Sequence, residues 1–348
     1  MKAKDLKYIL AYITPLTCCM SFWANGIWSY SSAIILFGLL PLADQLIPKD
    51  TGNVSSGEEL SRSKTLFFDI LLYLNLPILY VLGYWYLDII TTQSLGIIDL
   101  TGKTLAYGLM SGVIGINVAH EIGHRPELHN QWISRLLLLP AQYMHFNIEH
   151  NRGHHKNVAT PDDPASSRKG ESFYTFWLRT VYNSYKSAWR IENQDLSRSG
   201  RSNVGLHNKM VIFTIMQLAL IIVIYFGFGA FATGMYLITA VLGFTLLEQV
   251  NYIEHYGLVR QKLPSGKYEP VQPHHSWNSN HEVGRVVLYE LTRHSDHHFK
   301  STRKYQVLRH FNETPQLPFG YPASIIMAMI PPIWFSVMDK RVEQYQAA

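Results

Sequence analysis

The chemistry-bearing residues of this chain are histidines in four short stretches: His120 and His124 in HEIGH, His150, His154 and His155 in EHNRGHH, His255 in NYIEHYGL, and His294, His297 and His298 in RHSDHH. Residues three or four apart on a helix share a face and can aim at one point. Three of the four stretches carry that spacing, and each of the four lies beside an apolar segment. Neutral imidazole suits zinc, copper, iron and nickel, and one ion takes about four ligands, or about three plus water. These histidines exceed what one ion can use, which argues for two.

HEIGH alone reads as a zinc-protease helix, with Glu121 as general base beside His120 and His124. That alternative leaves the other histidines without a role. Other redox cofactors are excluded by what is missing. The two cysteines, Cys18 and Cys19, are adjacent in an apolar run and cannot supply the roughly four thiolates of an iron–sulfur cluster. No GxGxxG fingerprint for a flavin or nicotinamide occurs, and no CxxCH for haem. Zinc has no redox chemistry, whereas iron with open positions beside histidine activates oxygen. The residues therefore point to oxygen-dependent oxidation of a lipid-soluble substrate, with electrons from a separate cytoplasmic protein.

The elements that must position these residues belong to a membrane protein. Hydrophobic residues make up 47% of the 348 and charged residues 16%, against about 25% charged in soluble domains. Mean hydropathy is near zero, so polar residues are confined to particular segments. Spans are expected at 8–23, 29–47, 65–87, 104–119, 209–225 and 234–250, six crossings in a single integral-membrane domain covering 1–348. Lys2, Lys4 and Lys7 at the N-terminus, and Lys49, Arg62 and Lys64 after the second span, mark the cytoplasmic side. The opposite connections hold Lys103 at most. Both termini and the metal-binding regions 120–208 and 251–348 then lie on the cytoplasmic side.

Residues 132–146 and 318–336 are apolar but broken, and read as interfacial or re-entrant segments. The polar stretch 156–208 is expected to pack on the cytoplasmic face as amphipathic helices. The net charge of +5 follows from the positive-inside rule, and no basic run with interleaved aromatics suggests nucleic acid. The fold expected is all-α and polytopic, with about six transmembrane helices and a cytoplasmic, histidine-rich helical cap.

The strings HEIGH, EHNRGHH, NYIEHYGL and RHSDHH, with PHHSWNSNH and ATPDDPASSRKGES between them, closely resemble the membrane-bound alkane 1-monooxygenases, of the fatty acid desaturase/hydroxylase-like superfamily. NYIEHYGL discriminates this family from other histidine-box enzymes. The resemblance runs from about residue 104 to the end. It implies a non-haem enzyme with two iron ions that inserts one oxygen atom of O2 into the terminal C–H of a medium-chain n-alkane, giving a 1-alkanol. It also implies rubredoxin as electron donor, with rubredoxin reductase and NADH upstream, and a place in the bacterial inner membrane. Its iron ligands fall on His120, His124, His150, His154, His155, His255, His294, His297 and His298. The alternative on the same scaffold is a desaturase or hydroxylase of fatty acyl chains or alkyl aromatics. After the last box the family commonly has a small residue and a Pro where this chain reads Phe299, Lys300 and Ser301.

Around the ligands, Glu121, Glu149, Glu254 and Asp296 each sit next to or near a ligand histidine, where a carboxylate on the far ring nitrogen would fix the tautomer. His275 and His281, with His274 in the same loop, fit a supporting or docking role better than a ligand role. His129, His145, His207 and His310 read as structural or solvated. Asp162, Asp163 and Pro164 make a turn, with bracing of the second histidine box as the functional alternative. A channel for a linear alkane should be lined by apolar side chains.

Overall fold

The computed structural model describes residues 2–347. Among them there is no β-strand, only the isolated bridges Lys262–Tyr268 and Asn278–Gln316. After a 3-10 stretch at Ala3–Tyr12, the helices are α1 (Ile13–Trp23), α2 (Gly26–Leu46), α3 (Ser56–Ser63), α4 (Leu66–Thr92) and α5 (97–123). They continue with α6 (Leu128–Leu138), α7 (146–157), α8 (Phe173–Arg198) and α9 (Lys209–His255). The last four are α10 (Glu282–Val287), α11 (His294–Phe299), α12 (Tyr321–Ala328) and α13 (Pro331–Ala347).

Three described helices, α2, α4 and α9, are long and apolar enough to cross a membrane, and a fourth span results if α12 and α13 count as one broken element. These two meet at a 118° bend, within the stretch expected to be interfacial or re-entrant. The chain is an integral membrane protein.

The 47-residue α9 is interrupted at Gly229, whose φ of 84° and ψ of 173° are open to glycine and strained for other residues. A straight helix would separate Lys209 from Thr245 by about 54 Å. Yet the Lys209 backbone N–H donates to Glu192 at 3.0 Å and Trp177 donates to Thr245 at 3.1 Å, and Trp177 and Glu192 lie only about 22 Å apart along α8. The helix therefore folds back at Gly229.

Helix α5 is the central support, packed on α1 and on α9. The contact with α9 is close because both sides carry small residues: a Cβ on Gly112 would lie 2.9 Å from the Gly243 carbonyl. The fully buried Lys103 sits on α5 and donates to the carbonyls of Ser21, Phe22 and Ala24 at 3.1, 2.7 and 2.6 Å. It thereby satisfies the carbonyls left unpaired at the end of α1, which accounts for the one lysine on this side of the sequence pattern.

The polar stretch after the second histidine box forms one long helix, α8, started by the Ser172 hydroxyl accepting from the Thr175 N–H. Phe173, Phe176, Thr180, Ser184 and Ala188 recur at helical spacing and are buried. This face presses on α7 and α9 and holds the second box in place.

Candidate metal centre

Helix ends deliver the histidines. His120 stands in the last turn of α5 with His124 at its C-cap, and His255 ends α9. The second box lies in α7, whose His150–His154 stretch is a π turn. The third occupies α11. All nine converge, and they sort into two groups: His120, His124, His150, His155 and His297 in one, and His154, His255, His294 and His298 in the other. Within each group the potential ligand atoms lie within 4.8 Å of one another.

The second and third boxes each divide between the groups. Spacing alone pairs His150 with His154, but the wider π turn places His155 with His150, their Nε2 atoms 3.0 Å apart, and sends His154 to the other group. In α11, His294 and His298 go to one group and His297 to the other. Nε2 atoms face each other at 3.2 Å in the pairs His154–His298, His255–His294 and His155–His297. An ion about 2.1 Å from two nitrogens at a right angle separates them by about 3.0 Å, so these spacings fit metal coordination. The Nε2 atoms of His120 and His124 are buried without a hydrogen-bond partner among the described residues, which fits nitrogens that would coordinate an ion.

The rings are in the ligand form. Burial, reinforced by neighbouring rings, pushes His150, His155, His294, His297 and His298 well below the usual imidazole range. They are neutral at pH 7, each with one nitrogen free to coordinate.

The carboxylates behave differently from the expectation that each would hold a ligand ring. Asp163 takes that role: it is fully buried, and its Oδ2 meets His154 Nδ1 at 2.8 Å, leaving His154 Nε2 toward its group. Burial works to raise the Asp163 carboxyl, but the His154 ring and the Ser166 hydroxyl outweigh it and hold it below the usual range. The DDP run is thus the bracing element. Glu254 places Oε2 3.2 Å from His294 Nε2 and accepts the Tyr321 hydroxyl at 2.8 Å.

Glu121 is occupied elsewhere, accepting from Arg125 and from the Tyr305 backbone, each at 3.2 Å. It touches no ligand ring and is not free to serve as the general base of a protease. Asp296 likewise binds Arg303 and Arg309. Glu149 hydrogen-bonds no histidine, and burial with Asp163 and Glu248 nearby raises its carboxyl well above the usual range. His275 is held between the Gln272 N–H and Glu269, and His281 pairs with Ser279. Other partners thus claim Glu121, Asp296, His275 and His281, and Glu149 stays buried without holding a ring.

A cavity reaches both groups, with His120 and His150 of the first and His294 of the second in its wall. Leu36, Phe37 and Leu40 of α2, Val113 and Ile116 of α5, Leu246 of α9 and Ile325 of α12 make it predominantly apolar. Asn117, Asn251, Glu254 and Tyr321 are polar exceptions. Apart from the histidines and Glu254, none of these lining residues stood out in the sequence, where each reads as one more apolar or uncharged residue within a helix.

The fatty acid desaturase family model matches residues 100–325 of this chain. The chain is 40% identical over 346 residues to alkane 1-monooxygenase 1 of Alcanivorax borkumensis, covering 97% of this chain and 85% of that one. It is 42% identical over 322 residues to the alkane 1-monooxygenase of Acinetobacter baylyi, covering 92% and 78%. The chain belongs to the alkane 1-monooxygenase family. A more distant relative, 29% identical over 342 residues and covering 96% and 88%, is the xylene/toluene monooxygenase hydroxylase component of Pseudomonas putida. All nine histidines of the two groups lie within the stretch that the family model matches.

Proposed function

We propose that this protein is a membrane-bound, non-haem di-iron alkane 1-monooxygenase that converts medium-chain n-alkanes to 1-alkanols, R–CH3 + O2 + 2 e⁻ + 2 H⁺ giving R–CH2OH + H2O. The observation that carries this reading is an apolar cavity that touches both histidine groups. One iron is held by His120, His124, His150, His155 and His297, the other by His154, His255, His294 and His298. When bound, the irons supply the O2 activation that no side chain can perform.

The protein's own residues do the rest. Val113, Ile116, Leu246 and Ile325 bury a chain that offers nothing to hydrogen-bond, each methylene contributing about 0.8 kcal/mol, and they keep water from the reacting end. His120, His150 and His294 mark where that end must lie. Asp163 fixes His154 in the tautomer that frees Nε2. Glu254 and Tyr321 set a hydrogen-bonded pair on the cavity wall beside His294.

Six crossings, α1, α2, α4, α5 and the two halves of α9, would place the histidine boxes at the cytoplasmic face of a bacterial inner membrane. Rubredoxin, reduced by its reductase with NADH, is the electron donor in this reading, which agrees with the absence of any cofactor motif in the chain. The test is formation of 1-octanol from octane by membranes containing the protein, supplied with NADH, rubredoxin and its reductase. Iron-loaded protein that forms no alkanol refutes the assignment. An alkene, a hydroxylated acyl chain or a benzylic alcohol as the main product transfers it to the desaturase or alkyl-aromatic class.

A further inference from the structure

We propose that an acidic electron-donor protein docks on the surface over His124 and His155, between Lys156 on one side and Lys64, Lys300 and Lys304 on the other. This inference rests on the oxygenase reading above, because it supplies the electrons that reaction consumes.

The two histidine groups are not equally enclosed. Seven of the nine rings are buried, while His124 and His155 are half-buried, and neither of these lines the apolar cavity. The centre thus has an inner side turned to the cavity and an outer side where two residues of the five-histidine group are only half-buried. Electrons from a protein partner have their shortest entry through that outer side.

The residues around this outcrop are cationic. Lys156 follows His155 directly, and the His155 ring stacks on His298 with centroids 4.3 Å apart, which brings the segment leaving His298 alongside. That segment carries Phe299, 46% exposed, and the exposed Lys300. Lys300 in turn lines a surface depression with Lys64, Arg303, Lys304 and one acidic residue, Glu59. Lys304 pairs with Asp69, and Arg303 with Glu59 and Asp296. Lys64, Lys156 and Lys300 form no ion pair with any described residue.

Lysines without counter-charges beside a redox centre favour an acidic partner. Exposed charges of this kind act mainly by steering encounter, so they govern association rate and salt dependence. The exposed Phe299 ring supplies the apolar contact that a transient interface places among its charges.

The test compares the wild-type protein in lipid nanodiscs with K64E/K300E, with F299A, and with K262E, a charge reversal on an exposed lysine that lines neither the depression nor the histidine groups. The probe is a rubredoxin of net negative charge. Its binding in the oxidised form is measured directly, and its KM is measured under turnover with octane at two ionic strengths. For K64E/K300E, binding should weaken and KM rise about five- to tenfold, with a shallower salt dependence, unchanged iron content and a kcat near wild type at saturating donor. F299A should weaken binding with the salt dependence retained, and K262E should behave as wild type. Unaltered binding in K64E/K300E, or an equal loss in K262E, overturns the docking surface. Wild-type protein that binds the probe in a Lys64- and Lys300-dependent way yet makes no alkanol supports the surface and overturns the oxygenase reading instead.

Discussion

At the scale of the residue, what distinguishes one histidine from another is the second contact its ring makes. His154 has a buried carboxylate on Nδ1, and the other eight rings have none there. Replacing that carboxylate by a neutral amide of the same size isolates its contribution. Asp163→Asn should lower activity and the iron affinity of the four-histidine group about 10- to 100-fold, and iron content per protein with single-turnover product yield measures both. His255→Ala removes a ligand outright and should abolish turnover while lowering iron content. A His255→Ala protein that keeps its iron and its activity takes His255 off the ligand set. The carboxylates of Glu121 and Asp296 show the opposite case, since arginines hold them away from the rings beside them in sequence.

At the scale of the element, the site depends on where helices stop and on two local departures from α-helical geometry. The π turn at His150–His154 distributes one box over two groups. The break at Gly229 turns α9 back, so that its second half runs to His255 beside α5, whose own end carries His120. A side chain at position 229 must adopt a positive φ that L-residues other than glycine tolerate poorly, at a cost of about 1–3 kcal/mol. Gly229→Val should therefore lower the thermal midpoint of the purified protein and the yield of folded material from membranes, and should change KM for octane little. An unchanged midpoint means the turn does not need glycine.

At the scale of the whole molecule, the cavity and the buried histidines couple function and stability to the complete fold. Val113 stands about two helical turns before His120 on α5 and faces the cavity. Val113→Phe should shift the product distribution toward shorter alkanes, read as the ratio of 1-dodecanol to 1-octanol formed from an equimolar mixture. An unchanged ratio would remove Val113 from the substrate path.

Acid stability has a defined sign. Burial pushes His145 down to about 3, and burial does the same for His275 and His281, each to about 4. An imidazole with a lowered pKa in the fold binds protons better once unfolded. The stability tied to it is complete above the unfolded value of about 6.5 and is lost as pH falls toward about 4 and then 3. Glu149, raised by burial, works in the opposite direction. The thermal midpoint should therefore fall between pH 6.5 and pH 4, and one that stays level or rises there contradicts the burial of these rings.

The sequence by itself determined the candidate histidines, the membrane setting and the family, because imidazole spacing, apolar run length and the NYIEHYGL string are local properties of the chain. It also placed the bracing alternative on the DDP turn. Only the tertiary structure decided which histidine joins which group, that Asp163 rather than Glu121, Glu149 or Asp296 holds a ring, and which apolar residues enclose the cavity. Those outcomes depend on which side chains meet once the chain has folded. Arg125 and Tyr305 claim Glu121, Arg303 and Arg309 claim Asp296, and a wall built from α2, α5, α9 and α12 exists only once all four have packed.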